Sequence, residues 1–126
     1  MTLSTLCKEA HDNSVAKGFY DMPRKIDGLA MLCVCELAEA VEADRENRES
    51  PTAYDLAYYA NKADFSDHDV REMFKSKVKD TVGDEIADCL IRLCDMCGFL
   101  NIDLESHVKA KMKYNATREK LHGKKY

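Results

Sequence analysis

At 126 residues the chain has room for one compact domain with a hydrophobic core, but not for two. With 45% hydrophobic and 33% charged residues it is too apolar to be intrinsically disordered, and no apolar run approaches the length that a bilayer requires. The net charge of −4 hides an asymmetry: residues 109–126 carry seven basic side chains against one acid, while residues 1–108 carry 12 basic and 22 acidic ones.

Helical periodicity runs through most of the chain. Residues 2–17 place Leu3, Leu6, Cys7, Ala10 and Val15 at helical spacing, with Gly18 where the helix would stop. A short aromatic connector, Phe19, Tyr20 and Pro23, follows. Asp27 is positioned to cap a second helix reaching about Glu49, whose inner face reads Leu29, Leu32, Cys33, Glu36, Ala40. Ser50-Pro51-Thr52 is a helix-start signature, and two short helices are expected near 52–62 and 67–78. They form an insert over about 50–79. A strong helix is expected from Thr81 to Phe99, with Val82, Ile86, Cys89, Leu90, Leu93 and Met96 in the core. A last one, capped by Asn101 or Asp103, should run to about 120. The sum is an all-α four-helix bundle in a single domain, residues 1–126, with a short helical insert between the second and third core helices.

The six cysteines, at 7, 33, 35, 89, 94 and 97, all fall in helical segments and read as small buried hydrophobes of a reducing compartment. Cys94 and Cys97 have CxxC spacing, but in mid-helix and without a second pair, which speaks against a zinc or redox site. The first residues lack both the charged start and the apolar core of a secretory signal, so a cytoplasmic location is expected. An acidic surface over most of the chain argues against duplex DNA or RNA as a partner, since backbone neutralisation needs a continuous basic footprint.

Chemistry concentrates in four carboxylates. Glu36 and Glu39 stand three apart on one expected helix, and Glu85 and Asp88 three apart on another, a spacing that puts each pair on one helix face. Glu36 and Glu85 interrupt apolar stripes rather than lying opposite them. Should the two helices pack together, the four carboxylates converge, and burying such a cluster without a cation would cost several kcal/mol per group. A donor set of hard oxygens without histidine or thiolate suits Mg²⁺, with Mn²⁺ as a substitute. Magnesium so held bridges phosphate oxygens, neutralises a leaving pyrophosphate and orients an attacking water. One carboxylate remains for general-base work, and the sequence does not say which.

The segments CELAEAVE (35–42) and DEIADCLIRL (84–93) resemble the ExxE and ExxD halves of MazG-like nucleotide pyrophosphohydrolases, and HDNSVAKGFYD (11–21), GFLNIDLE (98–105) and KMKYNATREKLHGKKY (111–126) are similar to small bacterial and phage members. The resemblance covers most of the chain except residues 44–80. It implies a four-helix magnesium site and cleavage of a nucleoside triphosphate, a dNTP above all, between the α- and β-phosphates. It also implies a homodimer or homotetramer. Glu36, Glu39, Glu85 and Asp88 match the metal and catalytic positions. Lys111, Asn115 and Arg118 match the substrate-binding pattern of the last helix, consistent with Lys and Arg pairing with phosphate and Asn with sugar or base.

One departure from the compact members is the 45 positions, 40–84, between Glu39 and Glu85. Tyr54, Tyr58, Tyr59 and Phe65 within them either stack on a nucleobase or pack the insert, with packing favoured. His11 and His122 are weaker candidates for substrate contact, a surface or capping role being favoured for each. Two alternatives compete with the enzyme: a di-iron carboxylate bundle, disfavoured by the lack of Glu-x-x-His pairs, and a non-catalytic helical interaction module with an acidic binding face.

Overall fold

The computed structural model describes residues 1–62 and 65–125; Ala63 and Asp64, in the insert, and Tyr126, in the last of the resembling segments, lie outside the described residues. Six α-helices and one short 3₁₀ turn make up the described residues, with no strand among them: α1 Leu3–Ala16, α2 Ile26–Arg45, α3 Ala53–Asn61, α4 Asp67–Lys77, α5 Val82–Phe99 and α6 Leu104–Ala116, then the turn Lys120–Gly123. The all-α expectation holds. No described helix is long and apolar enough to cross a membrane. The chain packs as two compact units, one comprising Met1–Arg24 and the segment from Leu93 onward, the other Lys25–Arg92.

In the first unit, α1 starts with a reciprocal cap: the Thr2 hydroxyl accepts from the Thr5 N–H, and the Thr5 hydroxyl accepts from the Thr2 N–H. The helix ends where Gly18 turns with φ +81°. Its buried Cys7 and Ala10 form a core with Cys94 and Cys97, wrapped by Leu3, Leu6 and Leu104. Gly98 lets α1 come close, because a Cβ there would lie 2.5 Å from the His11 Cβ and 3.0 Å from the Cys7 carbonyl oxygen. Asp103, one of the two expected caps, accepts from the Ser106 N–H to start α6. Glu105 then ties α6 to α1, taking hydrogen bonds from the Ser4 N–H at 3.1 Å and the Ser4 hydroxyl at 3.0 Å.

In the second unit, α2 buries Leu29, Cys33, Glu36 and Ala43. Its expected cap, Asp27, lies instead inside the first turn, and the helix stops at Arg45 rather than near Glu49, since Asn47 takes a left-handed φ of +55°. The insert forms α3 and α4, capped by Thr52 and by a reciprocal Ser66–Asp69 pair. The start of α5 is tied to the loop after α2, with the Val82 N–H donating to the Arg48 carbonyl and the Gly83 N–H to the Ser50 hydroxyl.

Two core expectations need correction. Cys35 is exposed, while the other five cysteines are buried and all six are free. On α5 the buried positions are Glu85, Cys89, Cys94 and Cys97, whereas Ile86, Leu90 and Leu93 face outward. The apolar residues of α5 cover more of its circumference than one core stripe needs. The last helix is also shorter than expected, ending at Ala116 with Thr117 as its cap.

Candidate metal centre

The second unit brings Glu36 and Glu39 of α2 to Glu85 of α5. One carboxylate oxygen from each lies within 4.8 Å of the other two. Helical spacing puts Glu36 and Glu39 on one side of α2, and the tie between α5 and the loop after α2 fixes the register. Glu36 is 5% and Glu85 4% exposed, whereas Glu39 is exposed and leaves the group open on one side.

Glu85 is the unusual member. Among the described residues its carboxylate has no hydrogen-bond or ion-pair partner, and Lys79 acts on it only through space, although the residue is almost wholly buried and such a group is costly to leave unpaired. Burial first, and then the charges of Glu39, Asp84 and Glu36, push its carboxyl above the usual range. Glu36 is paired: the Arg92 Nε donates to its Oε1.

Asp88, expected as the fourth ligand, is not part of the group of three. It lies on the same helix, exposed at its surface, and loss of hydration followed by the charges of Asp84 and Glu36 raises its carboxyl as well. A second acidic group joins Asp80 and Asp84 to the same Glu85. Within it the Asp84 Oδ2 accepts from the Asp80 N–H at 2.9 Å, and Lys79 pairs with Asp80.

No protein-family model, curated protein or solved structure matches the chain. The donors themselves therefore carry the chemical argument. All are carboxylate oxygens, suited to a hard divalent cation, and the buried Glu85 lacks the counter-charge that such an ion provides. The residues present fit magnesium or manganese.

The three expected substrate-binding residues belong to the first unit. Lys111 on α6 and Arg118 just beyond it flank one ring, the Lys111 Nζ 5.2 Å and the Arg118 guanidinium carbon 5.6 Å from the centre of Tyr114. The Asn115 Oδ1 is buried with no hydrogen-bond partner among the described residues.

Sequence reasoning missed three participants. Arg92 stood in the quoted motif without a role, although its place seven residues after Glu85 returns it to the same helix face. Asp84 opens the quoted motif without a role of its own. Asp95 escaped notice, yet its Oδ1 meets the His11 Nδ1 at 2.9 Å and accepts from the Tyr20 hydroxyl at 2.8 Å. His11, Tyr20 and Phe99 also border a cavity of about 410 Å³. Of the insert aromatics, Tyr54 is exposed, while Tyr58 and Phe65 share Lys62, whose Nζ lies 4.5 and 4.8 Å from their ring centres. Tyr59 borders an apolar cavity of about 220 Å³ between α3 and α4.

Proposed function

We propose that the protein is a magnesium-dependent, MazG-like nucleoside triphosphate pyrophosphohydrolase that releases monophosphate and pyrophosphate, with a dNTP as its substrate. The observation that carries this reading is Glu85, an almost wholly buried residue whose carboxylate has no partner among the described residues and comes together with those of Glu36 and Glu39. The motif resemblance supports the reaction class, and the proposed architecture is a four-helix bundle with α3 and α4 as its insert.

Glu36, Glu39 and Glu85 would hold the ion, which when bound would supply charge neutralisation on the leaving pyrophosphate and orientation of the attacking water. Asp88, outside the group of three but within the field of Glu36 and Glu39, is the carboxylate left to take the proton from that water. Lys111 and Arg118 pair with phosphate oxygens, and the Asn115 amide hydrogen-bonds the nucleoside.

The enzyme acts as a homodimer or homotetramer. Supporting this, α2 shows solvent a second stripe distinct from its buried one: Met31, Val34, Leu37 and Val41, each more than half exposed. The test is a panel of canonical and modified dNTPs and NTPs, each incubated with magnesium and with chelator. Metal-dependent release of pyrophosphate from at least one is expected. Silence across the panel from folded protein would transfer the conclusion to the non-catalytic interaction module that binds a partner through its acidic face.

A further inference from the structure

Three carboxylates converging on one point, two of them on buried residues and the third at the surface, gather negative charge where water screens it from one side only. Positive charge placed there by the fold relieves that repulsion when no ion is present. Among the described residues, Arg92 is the cation in direct contact with the three, its Nε pairing with the Glu36 Oε1, while Lys79 pairs with Asp80 of the adjoining group and acts on Glu85 only through space. Its position is informative. Seven residues beyond Glu85 on α5, it comes back to the same face two turns later. The two partners differ sharply in exposure, the Arg92 side chain being 39% accessible and that of Glu36 7%. The guanidinium sits at the solvent edge and can return to water at little cost, whereas the carboxylate cannot.

We propose that Arg92 is a built-in counter-ion that stands in for the divalent cation at Glu36, so that arginine and metal compete for one carboxylate group. This rests on the metal reading above and deepens it. Without metal, Arg92 keeps Glu36 neutralised and the unit folded. On loading, the divalent ion takes over that role and the guanidinium yields Glu36. The arginine thus sets a threshold on metal occupancy. A neighbouring positive charge weakens binding of a divalent ion by roughly tenfold even at a water-like dielectric, so removing it should tighten binding by about that factor.

The experiment is titration of Mn²⁺ alone, followed by calorimetry and by thermal melting in chelator and in excess Mn²⁺, on the wild-type chain and on Arg92→Gln, Arg92→Lys and Glu85→Gln. The expected result is that Arg92→Gln melts lower than wild type in chelator, gains more from Mn²⁺, and binds it about tenfold more tightly. Arg92→Lys, which keeps the charge, should stay near wild type. Equal or weaker Mn²⁺ binding by Arg92→Gln overturns the proposal, and so does an Arg92→Gln chain that remains unfolded in saturating Mn²⁺. Failure of the metal reading itself would look different: no Mn²⁺ binding by wild type, or binding by Glu85→Gln that equals wild type.

Discussion

Glu105 shows how one side chain can be tested apart from any catalytic role. Lys109, foremost, and the Ser4 N–H and hydroxyl hold its carboxyl down to about 2. A carboxyl depressed by folding adds stability that is fully present above its unfolded value, near 4.5, and is lost as the pH falls from there towards 2. Glu105→Gln is therefore expected to lower the melting temperature at pH 7 and to melt like wild type near pH 2. An equal loss at both pH values would show that the carboxylate charge is not what joins α6 to α1. At the proposed centre, Glu85→Gln should abolish both turnover and stabilisation by metal. Asp88→Asn should cut kcat by about a hundredfold or more, as for a lost general base, yet keep most of the metal-induced rise in melting temperature. Loss of that rise in Asp88→Asn would make it a ligand instead. Glu36 and Glu85 were legible in the sequence because a carboxylate on an apolar stripe has few bland explanations. The separation of Asp88 from the other three was not, since three-residue spacing fixes a helix face but not which oxygens reach a common point. Arg92 was hidden because its partner, Glu36, is 56 residues away in sequence.

At the scale of the helices, the strongest sequence signals were those set by local chemistry. Thr52 and the expected start of the last helix at Asp103 are caps in the structure, and Gly18 ends α1 as its position suggested. The errors fall where the local signal was weak or went unused. Asn47 is itself a stop signal, since asparagine takes the left-handed conformation that ends a helix, while the apolar residues of α5 are too numerous for periodicity to choose which face is buried. Two glycines separate packing from propensity. Gly28, in the first turns of α2, has open space around a Cβ, so Gly28→Ala should stabilise by about 0.5–1 kcal/mol through helix propensity alone. Gly98, in α5, has the Cys7 backbone and the His11 Cβ in the way, so Gly98→Ala should destabilise by about 1–3 kcal/mol despite the same propensity gain. Thermal and urea denaturation of the two variants check this, and melting shifts of the same sign would remove the close α1–α5 approach as an explanation for Gly98.

For the molecule as a whole, the composition leaves more aliphatic surface than one chain buries. The exposed Met31, Val34, Leu37 and Val41 recur along α2 at helical spacing, beside the buried stripe that carries Glu36. Isolated apolar side chains on a surface need no explanation, but a stripe along one helix is the pattern of a face that meets another protein. The proposed homo-oligomer makes a second copy of this chain the partner. Met31→Lys combined with Val34→Lys tests it cleanly. Both side chains are already exposed, so the folded monomer should lose no more than about 0.5 kcal/mol per site, while two charges buried at an interface of copies would cost far more. Light scattering of wild type should give a multiple of the 14.3 kDa chain mass, and the double variant should fall to that mass with its helix content intact. A wild type that scatters as 14.3 kDa at micromolar concentration would leave this stripe without a second copy, and catalysis would then have to be complete within one chain.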